Sequence, residues 1–157
     1  MLAQFQDYLT FKNIFLYVNF GIIPFWLMLI FIPASKFTKI IVNSVIIPLI
    51  LASTYVYVIY KAFLLEESFL QLFQLYLDMD NLYALFSVES FLLIFWLHFL
   101  SINLFVGNWI ANDSKIFNVS KLFVILSLLM TYFTGPVGLV FYWFVRIFYS
   151  KKINFYD

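Results

Sequence analysis

The side chains best suited to chemistry lie in one apolar stretch of this 157-residue chain, between residues 89 and 107. Glu89 opens the stretch, His98 is the only histidine of the protein, and Asn103 follows five residues later. Polar groups within long apolar segments are costly and suggest a function, here a bound ligand or proton transfer. Hydrogen bonding between helices, without any chemistry, is the alternative interpretation.

Helical geometry divides these polar residues between two faces. At about 100° per residue, Glu89, Trp96, Asn103 and Gly107 fall along one stripe, and His98 lies roughly opposite Glu89. A helix with polar groups on both faces is predicted to be surrounded by protein and not by lipid.

Helix-breaking residues occur in the neighbouring apolar stretches. Pro24, Pro48 and Pro136 each lie well inside one of them, and proline removes a backbone hydrogen bond and kinks a helix. The strongest break is the sequence Gly-Pro-Val-Gly at residues 135–138. Because small residues let a second helix or a ligand approach the backbone closely, this break predicts either a packing notch or a ligand contact.

Several classes of site are excluded by what the sequence lacks. With 0 cysteines and 1 histidine, the chain cannot form disulfides, thiolate nucleophiles, cysteine-bound clusters or a polyhistidine metal centre. A net charge of +1 without a run of basic residues argues against a nucleic-acid partner. We therefore expect no metal ion, no cofactor and no nucleic acid.

Composition and the placement of charge predict an integral membrane protein. Hydrophobic residues make up 65% of the chain and charged residues 11%, against about 45–50% and about 25% in soluble domains. Four stretches without charged residues are long enough to cross a hydrocarbon core about 30 Å thick: 14–34, 40–60, 90–110 and 122–145. Because backbone polar groups cannot stay unpaired in lipid, we predict an all-α bundle of four transmembrane helices in a single membrane domain, residues 1–157.

The connection between the second and third predicted spans is different in character. Residues 62–88 hold half of the 8 Asp and Glu residues, and their apolar side chains recur at helical spacing. This pattern predicts either an interfacial helix at the level of the lipid headgroups or a short helix that caps the bundle. The sequence Asp-Met-Asp-Asn at residues 78–81 is predicted to end that helix.

Four spans place both termini on the same side of the membrane. Five basic residues then lie near the membrane on that side and four on the other, which does not decide the orientation by the positive-inside rule. The close spacing of Arg146, Lys151 and Lys152 favours cytoplasmic termini.

The polar stretch also carries a recognisable pattern. Residues 96–107 read Trp-Leu-His-Phe-Leu-Ser-Ile-Asn-Leu-Phe-Val-Gly. This resembles the Trp-x-His-x-Leu-x-x-Asp-Leu-Phe signature of the neoxanthin-synthase-like family, the plant abscisic-acid-deficient type with bacterial relatives. Further motifs at residues 24–33, 85–89 and 135–139 resemble the family in the same order, so the resemblance covers about residues 13–145.

The resemblance implies a small multi-pass membrane protein and, for plant members, conversion of the epoxy-carotenoid violaxanthin to the allenic neoxanthin. That isomerisation removes a proton from the polyene and protonates the epoxide oxygen, which calls for a general acid and a general base. His98 is the expected acid or base, Glu89 an expected acid, and Asp113 matches a commonly acidic family position. The residues expected to contact the ligand are Trp26, Trp96, Asn103, Gly107, Gly135, Pro136 and Gly138.

One departure from the family pattern bears on the chemistry. Asn103 replaces the family aspartate and cannot exchange a proton at ordinary pH, so the resemblance leaves open whether this chain is an enzyme. We expect a protein that binds or isomerises a carotenoid or related polyene, in a bacterial inner membrane or a plastid, thylakoid-type membrane. The alternative is a non-enzymatic accessory subunit or assembly factor, acting as a homo-oligomer or in a larger membrane complex.

Overall fold

The computed structural model describes residues 9–42, 46–65 and 78–153, and within these ranges the regular structure is entirely helical. The helices, in chain order, are α1 (Phe11–Phe31), α2 (Lys36–Ile41), α3 (Ile46–Leu65), α4 (Met79–Phe86), α5 (Glu89–Ile116), α6 (Lys121–Thr134) and α7 (Pro136–Ser150). The all-α class predicted from the sequence is therefore confirmed.

Two of the described helices are long and apolar enough to cross a membrane, namely α1 with 21 residues and α5 with 28. They correspond to the first and third predicted spans. Many large apolar side chains of the described chain point outward, including Phe20 at 70% exposure and Phe148 at 81%. A bundle of four membrane-crossing helices is not confirmed, because only these two candidate spans are found among the described residues.

The second predicted span, residues 40–60, begins later than expected. Residues 36–41 form the separate short helix α2, which Ser35 caps by accepting a hydrogen bond from the backbone nitrogen of Thr38 (3.0 Å). The Thr38 hydroxyl in turn donates to the carbonyl of Ile32 (2.7 Å), which ties α2 to the end of α1. The longer helix α3 then runs from Ile46 to Leu65.

The fourth predicted span, residues 122–145, is not one continuous helix, and that prediction is wrong. Helix α6 ends at Thr134, Gly135 adopts φ +61°, and α7 starts at Pro136. The chain reverses there, as the closeness of Gly138 to Thr131 shows. A Cβ on Gly138 would overlap the backbone nitrogen and Oγ1 of Thr131, seven residues earlier. Helices α6 and α7 therefore form a hairpin whose arms, of 14 and 15 residues, are each about 21–22 Å long.

The prolines have more varied positions than the sequence suggested. Only Pro24 lies well inside a helix, in α1. Pro48 is the third residue of α3 and Pro136 the first of α7. At the first position of a helix the missing proline N–H has no intrahelical partner to lose, so Pro136 starts a helix and does not kink it.

The central part of the predicted interfacial segment (62–88), residues 66–77, lies outside the described residues. After them, Asp78 occupies the N-cap position of α4. The Asp-Met-Asp-Asn sequence thus begins a helix, and Asp80 places a negative charge in its first turn, where it is favoured. The helix that this sequence is predicted to end lies outside the described residues. Phe86 of α4 then packs edge-on against Phe91 and Phe95 of α5, with ring centroids 5.4 and 4.8 Å away.

The chain divides into two compact units. The first comprises Met1–Ile22 and Leu49–Phe99, and the second Ile23–Pro48 and Leu100–Asp157. The core of the first unit is formed by buried side chains from α1, α3 and α5: Ile14, Val58, Ala62, Leu93, Ile94 and Leu97. In the second unit, fully buried side chains such as Leu128 and Tyr142 belong to the α6–α7 hairpin.

Candidate functional site

Four of the predicted ligand-contacting residues come together in the second unit, along one face of α5. Asn103 and Gly107 are four residues apart on that helix, so they lie on the same face one turn apart. Trp26 of α1 covers Gly107, and Gly135 of the hairpin turn covers Asn103. We call Trp26, Asn103, Gly107 and Gly135 the apex cluster.

Gly107 allows an aromatic ring to lie directly on the backbone of α5. A Cβ at this position would lie 2.7 Å from both Cη2 and Cζ3 of Trp26, closer than carbon atoms can approach. On its other side Trp26 packs edge-on against Tyr132 of α6, with ring centroids 5.4 Å apart. The glycine therefore fixes the position of the Trp26 indole, which is 3% exposed.

Gly135 performs the corresponding role at the turn of the hairpin. Its φ of +61° is strained for residues with a side chain, and an added Cβ would lie 2.5 Å from Oδ1 of Asn103. Asn103 stands 14 residues after the first residue of α5, Glu89, and 13 before the last, Ile116. At about 1.5 Å per residue, the cluster thus lies about 20 Å from either end of that helix.

Two buried donors of the apex cluster have no hydrogen-bond partner among the described residues: Nε1 of Trp26 and Nδ2 of Asn103. Trp26 is only 3% exposed and Asn103 only 4%. An unpaired buried donor costs about 1–3 kcal/mol, so native structures rarely retain one without a reason. Each of these N–H groups is suited to an oxygen acceptor supplied from outside the chain.

Of the other three predicted contacts, two belong to the hairpin but not to the apex cluster. Pro136, next to Gly135, begins α7 and is exposed. Gly138 is buried, but it faces Thr131 inside the hairpin, where it permits the two arms to touch.

Trp96 lies in the first unit and its donor is already engaged. Its Nε1 donates to Oδ1 of Asn19 (3.1 Å), and Nδ2 of Asn19 donates to the carbonyl of Phe15 (2.6 Å). The Trp96 ring stacks on Phe99, with centroids 5.3 Å apart. Trp96 is therefore bound to its own unit through a complete hydrogen-bond chain.

Glu89 and His98 are not brought together by the fold. They are nine residues apart on α5, which places them on opposite faces and about 13 Å apart along the helix axis. Both side chains are exposed. Glu89 lines a groove of about 340 Å³ that also includes Phe11, Lys12 and Phe15 of the first unit.

Asp113 is held in a buried ion pair. Its Oδ2 accepts hydrogen bonds from Nε of Arg146 (2.8 Å) and from the hydroxyl of Tyr142 (2.7 Å). The Arg146 guanidinium lies over the ring of Phe117, 4.5 Å from its centroid, and Tyr142 packs edge-on against Trp109. Through this network Asp113 holds α7 against α5.

Arg146 and Tyr142 are the partners that sequence reasoning missed. Arg146 follows Asp113 by 33 residues, a separation that no helical or strand period connects. The only signal in the sequence is that the single arginine of the protein stands in the apolar stretch after the hairpin turn. Among the residues that the structure describes, no group of His, Cys, Asp or Glu side chains is placed to hold a metal ion.

The chain matches one known protein family over most of its length. A family model described as ABA DEFICIENT 4-like matches residues 13–142 of the 157. The chain belongs to the ABA DEFICIENT 4-like family. The resemblance to the neoxanthin-synthase-like family read from the sequence is thereby confirmed. No curated protein and no solved structure matches the chain.

The matched region includes the whole apex cluster and Asp113. It ends at Tyr142, so Arg146, the ion-pair partner of Asp113, lies beyond it. Membership of this family, together with the two long apolar helices, indicates a membrane protein.

Proposed function

We propose that this ABA DEFICIENT 4-like protein binds an oxygenated carotenoid, or a related oxygenated polyene, with an oxygen of the ligand at the apex cluster. The observation that carries the proposal is the pair of buried N–H donors, Trp26 Nε1 and Asn103 Nδ2, that lack partners among the described residues. A hydroxyl, epoxide or carbonyl oxygen would accept from them. A pure hydrocarbon polyene has no such acceptor.

The depth of the cluster supports the same proposal. If α5 crosses the bilayer, its midpoint at Asn103 lies where water is scarce, so buried donors there gain more from a ligand oxygen than donors at the surface would. Tyr132, which packs edge-on against Trp26 and is only half-buried, adds an aromatic surface against which a conjugated ligand can pack.

Binding is favoured over isomerisation by the positions of the three predicted catalytic residues. Isomerisation needs an acid and a base within reach of one ligand. Glu89 and His98 point to opposite faces of α5, and Asp113 is committed to Arg146. We therefore propose binding as the function and treat conversion of the bound pigment as a separate outcome of the same experiment.

A matched pair of tryptophan variants tests the proposal. The protein and its Trp26→Phe and Trp96→Phe variants are purified in mild detergent from a host that makes both oxygenated and hydrocarbon carotenoids. Pigment is measured by absorption per mole of protein and identified by chromatography. We expect the natural protein to retain oxygenated pigment selectively, and Trp26→Phe to retain about tenfold less, because one donor is lost.

The Trp96→Phe variant is the control. It loses the hydrogen bond to Asn19, so we expect it to be less stable by about 1 kcal/mol but to keep its pigment. A colourless natural protein, or equal retention of hydrocarbon carotenoids, would contradict the proposal. A colourless protein that leaves added pigment unchanged would favour the alternative, a non-enzymatic subunit of a larger complex.

We also propose an orientation in the membrane, based on the hairpin. Lys115 of α5 donates to the carbonyl of Pro33 just after α1, and Arg146 pairs with Asp113, so the basic residues after both helices gather at the same end. That end holds seven of the 9 basic residues: Lys36, Lys39, Lys115, Lys121, Arg146, Lys151 and Lys152. The other two, Lys12 and Lys61, lie at the start of α1, where Lys61 donates to the carbonyl of Leu9. By the positive-inside rule the seven face the cytoplasm, which makes the C-terminal end cytoplasmic and the start of α1 external. This proposal keeps the cytoplasmic C-terminus that the sequence favours but departs from two cytoplasmic termini, because a hairpin adds no membrane crossing.

A further inference from the structure

The second unit contains a groove separate from the apex cluster. It has a volume of about 610 Å³ and lies among the end of α1, the following loop, the end of α5 and the start of α6. Its walls are mainly aliphatic, with Leu29, Ile32, Val124 and Ile125 among them. Lys115 and Lys121 stand among its polar lining residues. We call it the basic groove.

Lys115, which lines the basic groove, contacts neutral partners. Nζ of Lys115 donates to the carbonyl of Pro33 (2.9 Å) and to Oδ1 of Asn112 (3.2 Å), neither of which carries a charge. Lys39 of α2 is close enough to repel Lys115 electrostatically. Lys115 and Lys121 therefore line the groove, and Lys39 adds a third positive charge close to Lys115.

The described part of their unit contains a single acidic residue. Between residues 23 and 48, and again between 100 and 153, the only acidic residue is Asp113. Asp113 is buried and its charge is balanced by Arg146. The charge at the basic groove is thus uncompensated by the described part of the unit, and an anion from outside would be stabilised there.

We propose that the basic groove binds an anionic phospholipid, with the headgroup phosphate at Lys39, Lys115 and Lys121 and an acyl chain along the aliphatic wall. Charge complementarity selects the headgroup, since lysine binds phosphate as a point charge. The apolar wall selects an amphiphile over a free anion, because a soluble phosphate leaves the accessible side chains Ile32 and Ile125 uncovered. This proposal is independent of the pigment.

Native mass spectrometry of the detergent-solubilised protein tests the proposal, with phosphatidylglycerol and phosphatidylcholine of identical acyl chains as probes. The main variant is Lys39→Gln/Lys121→Gln, which keeps Lys115 and its two hydrogen bonds. We expect the natural protein to retain phosphatidylglycerol in preference to phosphatidylcholine. The variant should bind phosphatidylglycerol about tenfold more weakly, with phosphatidylcholine binding unchanged.

The control variant is Lys151→Gln/Lys152→Gln, which removes the same charge from the end of α7, outside the groove lining. We expect it to bind phosphatidylglycerol like the natural protein. Equal weakening in both variants would show a general attraction between charges, and would overturn the proposal. Equal retention of the two lipids by the natural protein would overturn it as well.

Discussion

Gly138 of α7 lies directly against Thr131 of α6, although the two residues are only seven positions apart in the chain. In a continuous helix they would be separated by about 10 Å. The contact therefore defines a tight helical hairpin with its turn at Gly135, opposite the midpoint of α5. A break in a helix at membrane depth is tolerated only where protein surrounds it, and Gly135 is buried.

The hairpin also satisfies its own hydroxyl groups. Thr131 donates to the carbonyl of Ser127 (2.8 Å), and Ser127 donates to the carbonyl of Phe123 (2.7 Å). Both side chains are fully buried, so these bonds remove two polar groups that would otherwise be costly in an apolar interior. Small residues and internally bonded hydroxyls together let α6 and α7 pack closely.

The first prediction concerns the contact at Gly138. Alanine there has no room beside the Thr131 backbone, so we expect Gly138→Ala to lower the free energy of unfolding by about 1–3 kcal/mol. Gly21→Ala is the matched control, because nothing lies within 4 Å of its added methyl group and alanine favours a helix. Denaturant-induced unfolding in detergent micelles measures both. If the two variants are equally stable, the hairpin contact is not as close as the structure has it.

The second prediction separates a hairpin from a fourth membrane crossing. Because the natural sequence has no cysteine, single-cysteine variants can be labelled without background. We expect Lys36→Cys and Lys151→Cys to react with a membrane-impermeant maleimide from the same side, and Lys12→Cys from the opposite side. Labelling is compared in intact cells and in permeabilised cells.

A continuous fourth span gives a different result in that experiment. It would carry Lys151 back to the side of Lys12, so these two cysteines would label together and Lys36→Cys apart from them. That pattern would contradict both the hairpin and the proposed orientation.

The sequence could predict α1 and α5, because a charge-free interval of sufficient length is visible in composition alone. It could not predict the hairpin, since residues 122–145 are equally free of charge whether the chain continues or reverses at Gly135. The Gly-Pro-Val-Gly sequence did indicate a break, and the structure assigns it to packing within the hairpin as well as to the apex cluster.

The candidate site was predictable only in part, for a related reason. The helical stripe on α5 correctly joined Asn103 to Gly107, because helical periodicity relates residues of one helix. The same stripe included Trp96, which the structure pairs with Asn19 in the first unit. Contacts between helices, such as Trp26 on Gly107 or Arg146 on Asp113, depend on tertiary packing that periodicity does not contain.

The third prediction concerns the buried ion pair. Removing one partner leaves the other charge buried, so we expect Arg146→Met or Asp113→Leu alone to lower the free energy of unfolding by about 3–5 kcal/mol. The double variant Asp113→Leu/Arg146→Met should recover most of that loss, because no lone charge remains. Both are measured by thermal unfolding in detergent. A double variant whose loss equals the sum of the two single losses would show that the residues do not act as a pair.

The fourth prediction contrasts two asparagines with opposite surroundings. Asn103→Leu removes a buried donor without a partner and replaces it with an apolar group of similar volume, so we expect stability to stay constant or to rise by up to about 2 kcal/mol. The same change should abolish selective retention of oxygenated pigment, since the proposed acceptor loses its contact. Stability and pigment content are measured on the same preparations.

Asn19→Leu provides the matched control, because the Asn19 amide accepts from Trp96 and donates to Phe15. Its removal breaks two hydrogen bonds and leaves the Trp96 donor unpaired, so we expect a loss of about 1–3 kcal/mol with pigment retained. Opposite effects of one substitution on stability and on binding are characteristic of a residue whose polarity is maintained for a ligand. A large destabilisation by Asn103→Leu would instead mean that Asn103 has a structural partner within the protein, and the apex cluster would lose its main support as a binding site.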